Sequence, residues 1–133
     1  MTSRLFAALA IAVVAAGCSE DPIAPPAFAC TAVAYPAVAV SVLDSITGLG
    51  ISAGSTIVVR DGAFVDSLVV SSASTALNDA FLHPLNVFER PGTYAITVRR
   101  TGYRPWTQSG LSVRRNECHV NTARVTARMQ PLP

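Results

Sequence analysis

His83 and His119, with Cys18, Cys30 and Cys118, are the residues of this chain with the most chemistry to offer. Cys118 and His119 are adjacent, so on a strand their side chains face opposite ways and form no thiolate–imidazole pair. The spacings include no Cys-x-x-Cys and no His-x-x-x-His, the patterns that bring zinc ligands together. Asp44, Asp61, Asp66 and Asp79 could in principle gather around calcium, but no Asp-x-Asp-x-Asp loop is present, and capping turns is the simpler role for them. A Gly-x-Ser-x-Gly elbow and a phosphate-binding glycine loop are both missing. All ten basic residues are arginine, which removes Schiff-base chemistry. The expectation is a non-enzyme with no cofactor and no metal.

Charge narrows the partners. A formal net charge of +2 is too small for a nucleic-acid binder, which carries a larger, clustered basic excess. Arg99, Arg100 and Arg104 lie around one turn, and Arg114, Arg115, Arg124 and Arg128 lie near the last strands. They make either an anionic contact surface for lipid headgroups or envelope polysaccharide, or a solvated strand face that protects edges from aggregation. The second reading is preferred on sequence.

The elements that must carry these residues come from a chain of 133 residues, enough for one domain, and 50% hydrophobic with 14% charged residues excludes a disordered chain. Arg4 precedes an apolar run from Leu5 to Ala16, twelve residues that would span about 18 Å as a helix. A bilayer core needs about 20 residues, so the run reads as the h-region of an export signal. Ala15-Ala16-Gly17-Cys18 resembles the lipobox of bacterial lipoproteins, with Ala15 where that pattern usually has leucine. The resemblance implies a signal peptide over 1–17 and a diacylated thiol at Cys18, hence a membrane-anchored envelope protein. The alternative is an ordinary secretory signal cleaved near Ala27-Phe28-Ala29. In two-membrane bacteria an aspartate after the lipidated cysteine signals inner-membrane retention; Ser19 stands there, which implies the outer membrane. Residues 18–29, with Pro22, Pro25 and Pro26, read as an extended tether. If Cys18 carries lipid, Cys30 and Cys118 remain as a pair, and an exported protein would join them in a disulfide; two free buried thiols are the other option.

From Cys30 onward the apolar period is two. Val38, Val40 and Val42 alternate with Ala37, Ala39 and Ser41, the pattern of a half-buried strand. Thr56 to Arg60 is strand-like, and Asp61-Gly62 signals a hairpin into Ala63 to Val70. Ala76 to Phe88, interrupted by Pro84, reads as an irregular or edge-strand segment. Tyr94, Ile96 and Val98 define one face of a further strand, and Tyr103 to Gln108 and Leu111 to Val113 two short ones. Val125, Ala127 and Met129 alternate with Arg124, Thr126 and Arg128 in a last strand. Tyr94 should bury its ring and find a partner for its hydroxyl near the sheet end, and Trp106 should pack on the core or at its edge. Gly92 and Gly102 suit turns. The whole describes an all-β, single Greek-key β-sandwich.

Three segments occur in order: Val40-Ser41-Val42-Leu43-Asp44-Ser45-Ile46-Thr47-Gly48, Gly92-Thr93-Tyr94-Ala95-Ile96-Thr97-Val98 and Gly102-Tyr103-Arg104-Pro105-Trp106. Together they resemble the carboxypeptidase regulatory-like domain, a transthyretin-like sandwich of about seven strands, over residues 30–133. The resemblance implies a non-catalytic binding or structural module, with an envelope protein or polysaccharide as its partner. One alternative is a carbohydrate-binding module with Tyr35, Tyr103 and Trp106 as its stacking platform. Another is a small transthyretin-like hydrolase, which would need His83 and His119 in one cleft. The 5-hydroxyisourate hydrolases of that fold carry a histidine set and a Tyr-Arg-Gly-Ser ending that this sequence lacks.

Overall fold

The computed structural model describes residues 29–133. The proposed signal peptide, Cys18 and all of the tether before Ala29 lie outside the described residues. Six strands form two sheets among the described residues: β1 (Val38–Asp44), β2 (Ser55–Asp61), β3 (Phe64–Val69), β4 (Gly92–Arg100), β5 (Trp106–Val113) and β6 (Ala123–Met129). One sheet is antiparallel with the order β3-β2-β4-β5; the other pairs β1 with β6. The molecule is an all-β sandwich.

The period-two reading holds in the large sheet. Ile57 and Val59 of β2 and Tyr94, Ile96 and Val98 of β4 are buried, while Thr56, Val58 and Arg60, like Thr93, Ala95, Thr97 and Arg99, face outward. Their buried partners across the sandwich are Val38, Val40 and Val42 of β1 and Val125, Ala127 and Met129 of β6. Each fully buried Val or Ile contributes about 1.5–3 kcal/mol by leaving water, so these two facing rows supply the main driving force for closing the sandwich. The β2–β3 hairpin turns through Gly62-Ala63, with Asp61 paired to Phe64 and Gly62 at φ +57°.

Several details differ from the expectations. The strands number six among the described residues, against about seven. The difference lies in β5, where two expected strands are one; at 76–88 a single 3-10 turn, Thr75–Leu77, leads into an irregular segment that touches β1 through an isolated bridge between Val40 and Leu82. Pro84 has no N–H to donate to a ladder, which fits the failure of this segment to extend into a strand, as its sequence suggests. The two short strands expected after Gly102 are one strand, β5. Its register against β4 shifts between Tyr94 and Ile96, and Gly110 sits at φ +72°, a β-bulge that a side chain would strain.

β1 is buried on both faces rather than one. On its outer side Ala39 pairs with Arg124 of β6, and the Arg124 guanidinium reaches 5.7 Å from the Phe81 ring on the other flank of β1. Small residues at 39 and 41 fit beneath that span. Gly92, expected at a turn, instead opens β4 close beside Asp61, whose carboxylate a Cβ there would push aside.

β1 and β6 are parallel, with Val38 opposite Ala123 and Asp44 opposite Met129. Parallel strands cannot be joined by a hairpin; here the entire four-stranded sheet is the connection. As a result both strands enter at one end of the sandwich, the end that also holds residues 30–37 and 113–122.

Candidate functional site

The end where β1 and β6 begin carries the densest polar chemistry. Cys30 and Cys118 are bonded, S–S 2.01 Å, closing a sequence separation of 88 residues. Beside them the Glu89 carboxylate accepts three hydrogen bonds: from the Tyr35 amide at 2.8 Å, the His119 Nδ1–H at 2.8 Å and the Val120 amide at 3.2 Å. A carboxylate only accepts, so Nδ1 carries the imidazole proton, and in the neutral ring Nε2 accepts from the Thr31 hydroxyl at 3.0 Å. Tyr35 packs its ring 4.9 Å from that of His119. Glu89 holds this position with φ +48°, the one non-glycine residue at positive φ among those described.

Hydroxyl, imidazole and carboxylate in series is the order of a general-base relay. Such a relay also needs free donors for the developing oxyanion. The neighbouring amides are already engaged: those of Cys118 and His119 on Asn116 Oδ1, those of Tyr35 and Val120 on Glu89. The series therefore joins three chain segments, the start of the domain, the loop before β4 and the loop before β6, as a latch beside the disulfide. Sequence reasoning missed Glu89, whose partners lie 30 and 54 residues away; no local spacing announces them.

The latch predicts acid sensitivity. The Tyr35 amide foremost, then His119 and the Val120 amide, outweigh burial and hold Glu89 below its usual pKa. Asp44 is lowered by the Thr47 amide, the Tyr103 hydroxyl and the Ile46 amide. For Asp66 burial raises the value, but hydrogen bonds from Asn86 and the Ser67 amide outweigh it. A folded-state pKa below the unfolded one gives stability that is fully present above the unfolded value, about 4 for carboxylates, and is lost as pH falls through the folded value. Urea midpoints should be level above about pH 5 and fall below about pH 4, with a shallower fall in Glu89→Gln. Equal acid slopes in the two proteins would show that Glu89 does not carry its share.

The other end of the sandwich explains the motifs that carry the family resemblance. Asp44, at the end of β1, accepts the Ile46 and Thr47 amides on Oδ1, both at 2.8 Å, and the Tyr103 hydroxyl on Oδ2 at 2.8 Å. The Asp-x-x-Thr-Gly turn and the Gly-Tyr turn are thus fastened to each other, and the aspartate caps a turn as expected. Tyr94 donates its hydroxyl to the Arg90 carbonyl at 2.7 Å from a fully buried ring. Trp106 is partly buried against the core, the packing role expected of it.

The structure does not assemble the aromatic platform. Tyr35 stands before the start of β1, whereas Tyr103 binds Asp44 at its end, about 20 Å away by strand rise. The Tyr103 ring is further covered by the Arg100 guanidinium, 5.0 Å away. His83 packs edge-on against Phe88 and makes no hydrogen bond or ring contact to His119 among the described residues. Asp61 pairs with Arg90 at 3.3 Å and Asp66 receives the Asn86 amide, so the four aspartates are dispersed. Among the described residues no group of three or more His, Cys, Asp or Glu could hold a metal ion, and no helix is long and apolar enough to cross a membrane.

The arginines divide by strand position. Arg124 and Arg128 project from β6, which among the described residues pairs only with β1, and edge protection suits them. Arg60 and Arg99 project from β2 and β4, the two central strands of the large sheet, where there is no edge to protect. The chain matches no protein-family model and no curated protein.

Proposed function

We propose that this chain is a lipid-anchored, non-catalytic envelope protein whose β-sandwich serves as a binding or structural module. Acylation of Cys18 would hold it to the membrane, the outer one where the organism has two, and residues 18–29 would act as the tether. The observation that supports this best is the concentration of fastenings where the domain begins: the Cys30–Cys118 disulfide and the Thr31–His119–Glu89 series tie the first residues to the loops before β4 and β6. Tension from a tether would be passed to the sandwich as a whole rather than peeling β1 away. Occupied amides around the histidine favour a fastening role over catalysis.

The test is to replace Cys18 by serine in cells of the source organism. Wild type should incorporate labelled palmitate and sediment with the envelope, since two or three acyl chains anchor stably where one does not. Cys18→Ser should lose the label and move to the soluble fraction. Retention of Cys18→Ser in the envelope without label would defeat the lipid anchor.

A further inference from the structure

We propose that the outward face of β2, β4 and β5 binds an acidic polysaccharide, a carboxylated or sulphated glycan gripped by Arg60 and Arg99. The proposal deepens the binding-module reading and rests on it. The face follows from the register: Thr56 lies opposite Arg99, Val58 opposite Thr97 and Arg60 opposite Ala95, with Thr107 beside Thr97 and Ser112 beside Thr93. On the β3 side Val69, Ser67 and Val65 complete the same rows. Every one of these side chains is an arginine, a hydroxyl or a small apolar group, and none is a carboxylate.

The arginines are not there to balance internal charge. Against ten arginines the chain has eight carboxylates, and among the described residues a single arginine, Arg90, pairs with one of them. Three other carboxylates are spent on amides, hydroxyls and a histidine: Asp44, Asp66 and Glu89. Arg60 and Arg99 are exposed and make no hydrogen bond or salt bridge among the described residues. By strand rise and spacing their Cα atoms stand about 14 Å apart, a distance a few linked sugar rings cover.

A shallow depression runs between them, and a second adjoins it beyond Arg99. One is lined by Thr56, Val58, Arg60, Thr97 and Arg99; the next shares Thr56 and Arg99 and continues to Arg100 and Tyr103. A guanidinium takes carboxylate or sulphate through two parallel N–H bonds. Threonine hydroxyls donate and accept, which suits sugar hydroxyls. An acidic protein partner fits less well, because the centre of the face has no aromatic anchor of the kind that dominates protein interfaces. A lipid surface fits less well too, since the depressions continue toward Arg100 and Tyr103, away from the end at which the tether enters.

The probes are dextran sulphate, polygalacturonate and neutral dextran, with calorimetry on the full-length chain in detergent. Both acidic polymers should bind with an affinity that falls as salt rises, and neutral dextran should not. Arg60→Gln with Arg99→Gln should weaken binding by about tenfold or more, the scale of losing two charge-assisted hydrogen bonds. Arg124→Gln with Arg128→Gln removes the same charge from the opposite sheet and should change it little. Because Arg124 also reaches across β1 to Phe81, melting curves of both double variants are recorded to separate binding from folding. Equal losses in the two double variants would mean attraction by net charge alone and overturn the proposal. So would silence toward both acidic polymers, or binding to phosphatidylglycerol vesicles that depends on Arg60 and Arg99 while the glycans do not. Envelope release of Cys18→Ser is read separately, so a failed anchor and a failed glycan site are distinguishable.

Discussion

Replacing Cys30 and Cys118 together by serine is expected to lower the stability of the folded domain by up to about 4–5 kcal/mol, the chain-entropy value for so long a loop. The bridge spans 88 residues and therefore restricts nearly the whole unfolded domain. It also anchors Thr31 beside His119, so its loss frees the first residues to leave the latch. Against a typical total of about 5–15 kcal/mol, such a loss would remove about a third or more of the stability. Guanidinium titrations of the oxidised protein, the reduced protein and the double variant measure it. A difference of less than about 1 kcal/mol would mean that the β1–β6 pairing and the latch close the ends without help, and that the disulfide's entropic effect is offset elsewhere.

Tyr94→Ala should be nearly as damaging, at about 3–5 kcal/mol for removal of a buried aromatic ring. Tyr94 is the largest fully buried side chain among the described residues and stands beside the β5 bulge, opposite Leu111. Its hydroxyl satisfies the Arg90 carbonyl, and Arg90 in turn pairs with Asp61 and lies 4.2 Å over the Phe64 ring. Deleting the side chain thus opens a cavity and loosens the loop that delivers Glu89 to the latch. Tyr94→Phe separates the two effects: it keeps the ring and should cost only about 1 kcal/mol. If both substitutions cost the same, the hydroxyl rather than the ring would be the main contribution.

Much of the fold is legible in the sequence because a half-buried strand writes its burial into alternate residues. Tyr94, Ile96 and Val98, and Val125, Ala127 and Met129, are buried as their spacing indicates. β1 misleads because small residues at 39 and 41 look polar-facing in sequence but are covered by groups from two other segments. The Ser109-Gly110 pair is equally ambiguous: it reads as an interruption between strands, and in the fold it is a bulge within one. Asp44 and Tyr103 are singled out by motif, yet their mutual hydrogen bond is visible only when the two turns are brought together.

By itself the sequence determined the all-β class and the buried faces of β2, β4 and β6, since hydrophobic burial and turn chemistry act over a few neighbouring residues. The tertiary structure alone decided that Thr31, Glu89 and His119 meet, that β1 and β6 run parallel, and that Arg60 and Arg99 share a face free of carboxylates. Those arrangements depend on which strands pair and in what register, and pairing is chosen by the summed packing of the whole sandwich rather than by any local run of residues.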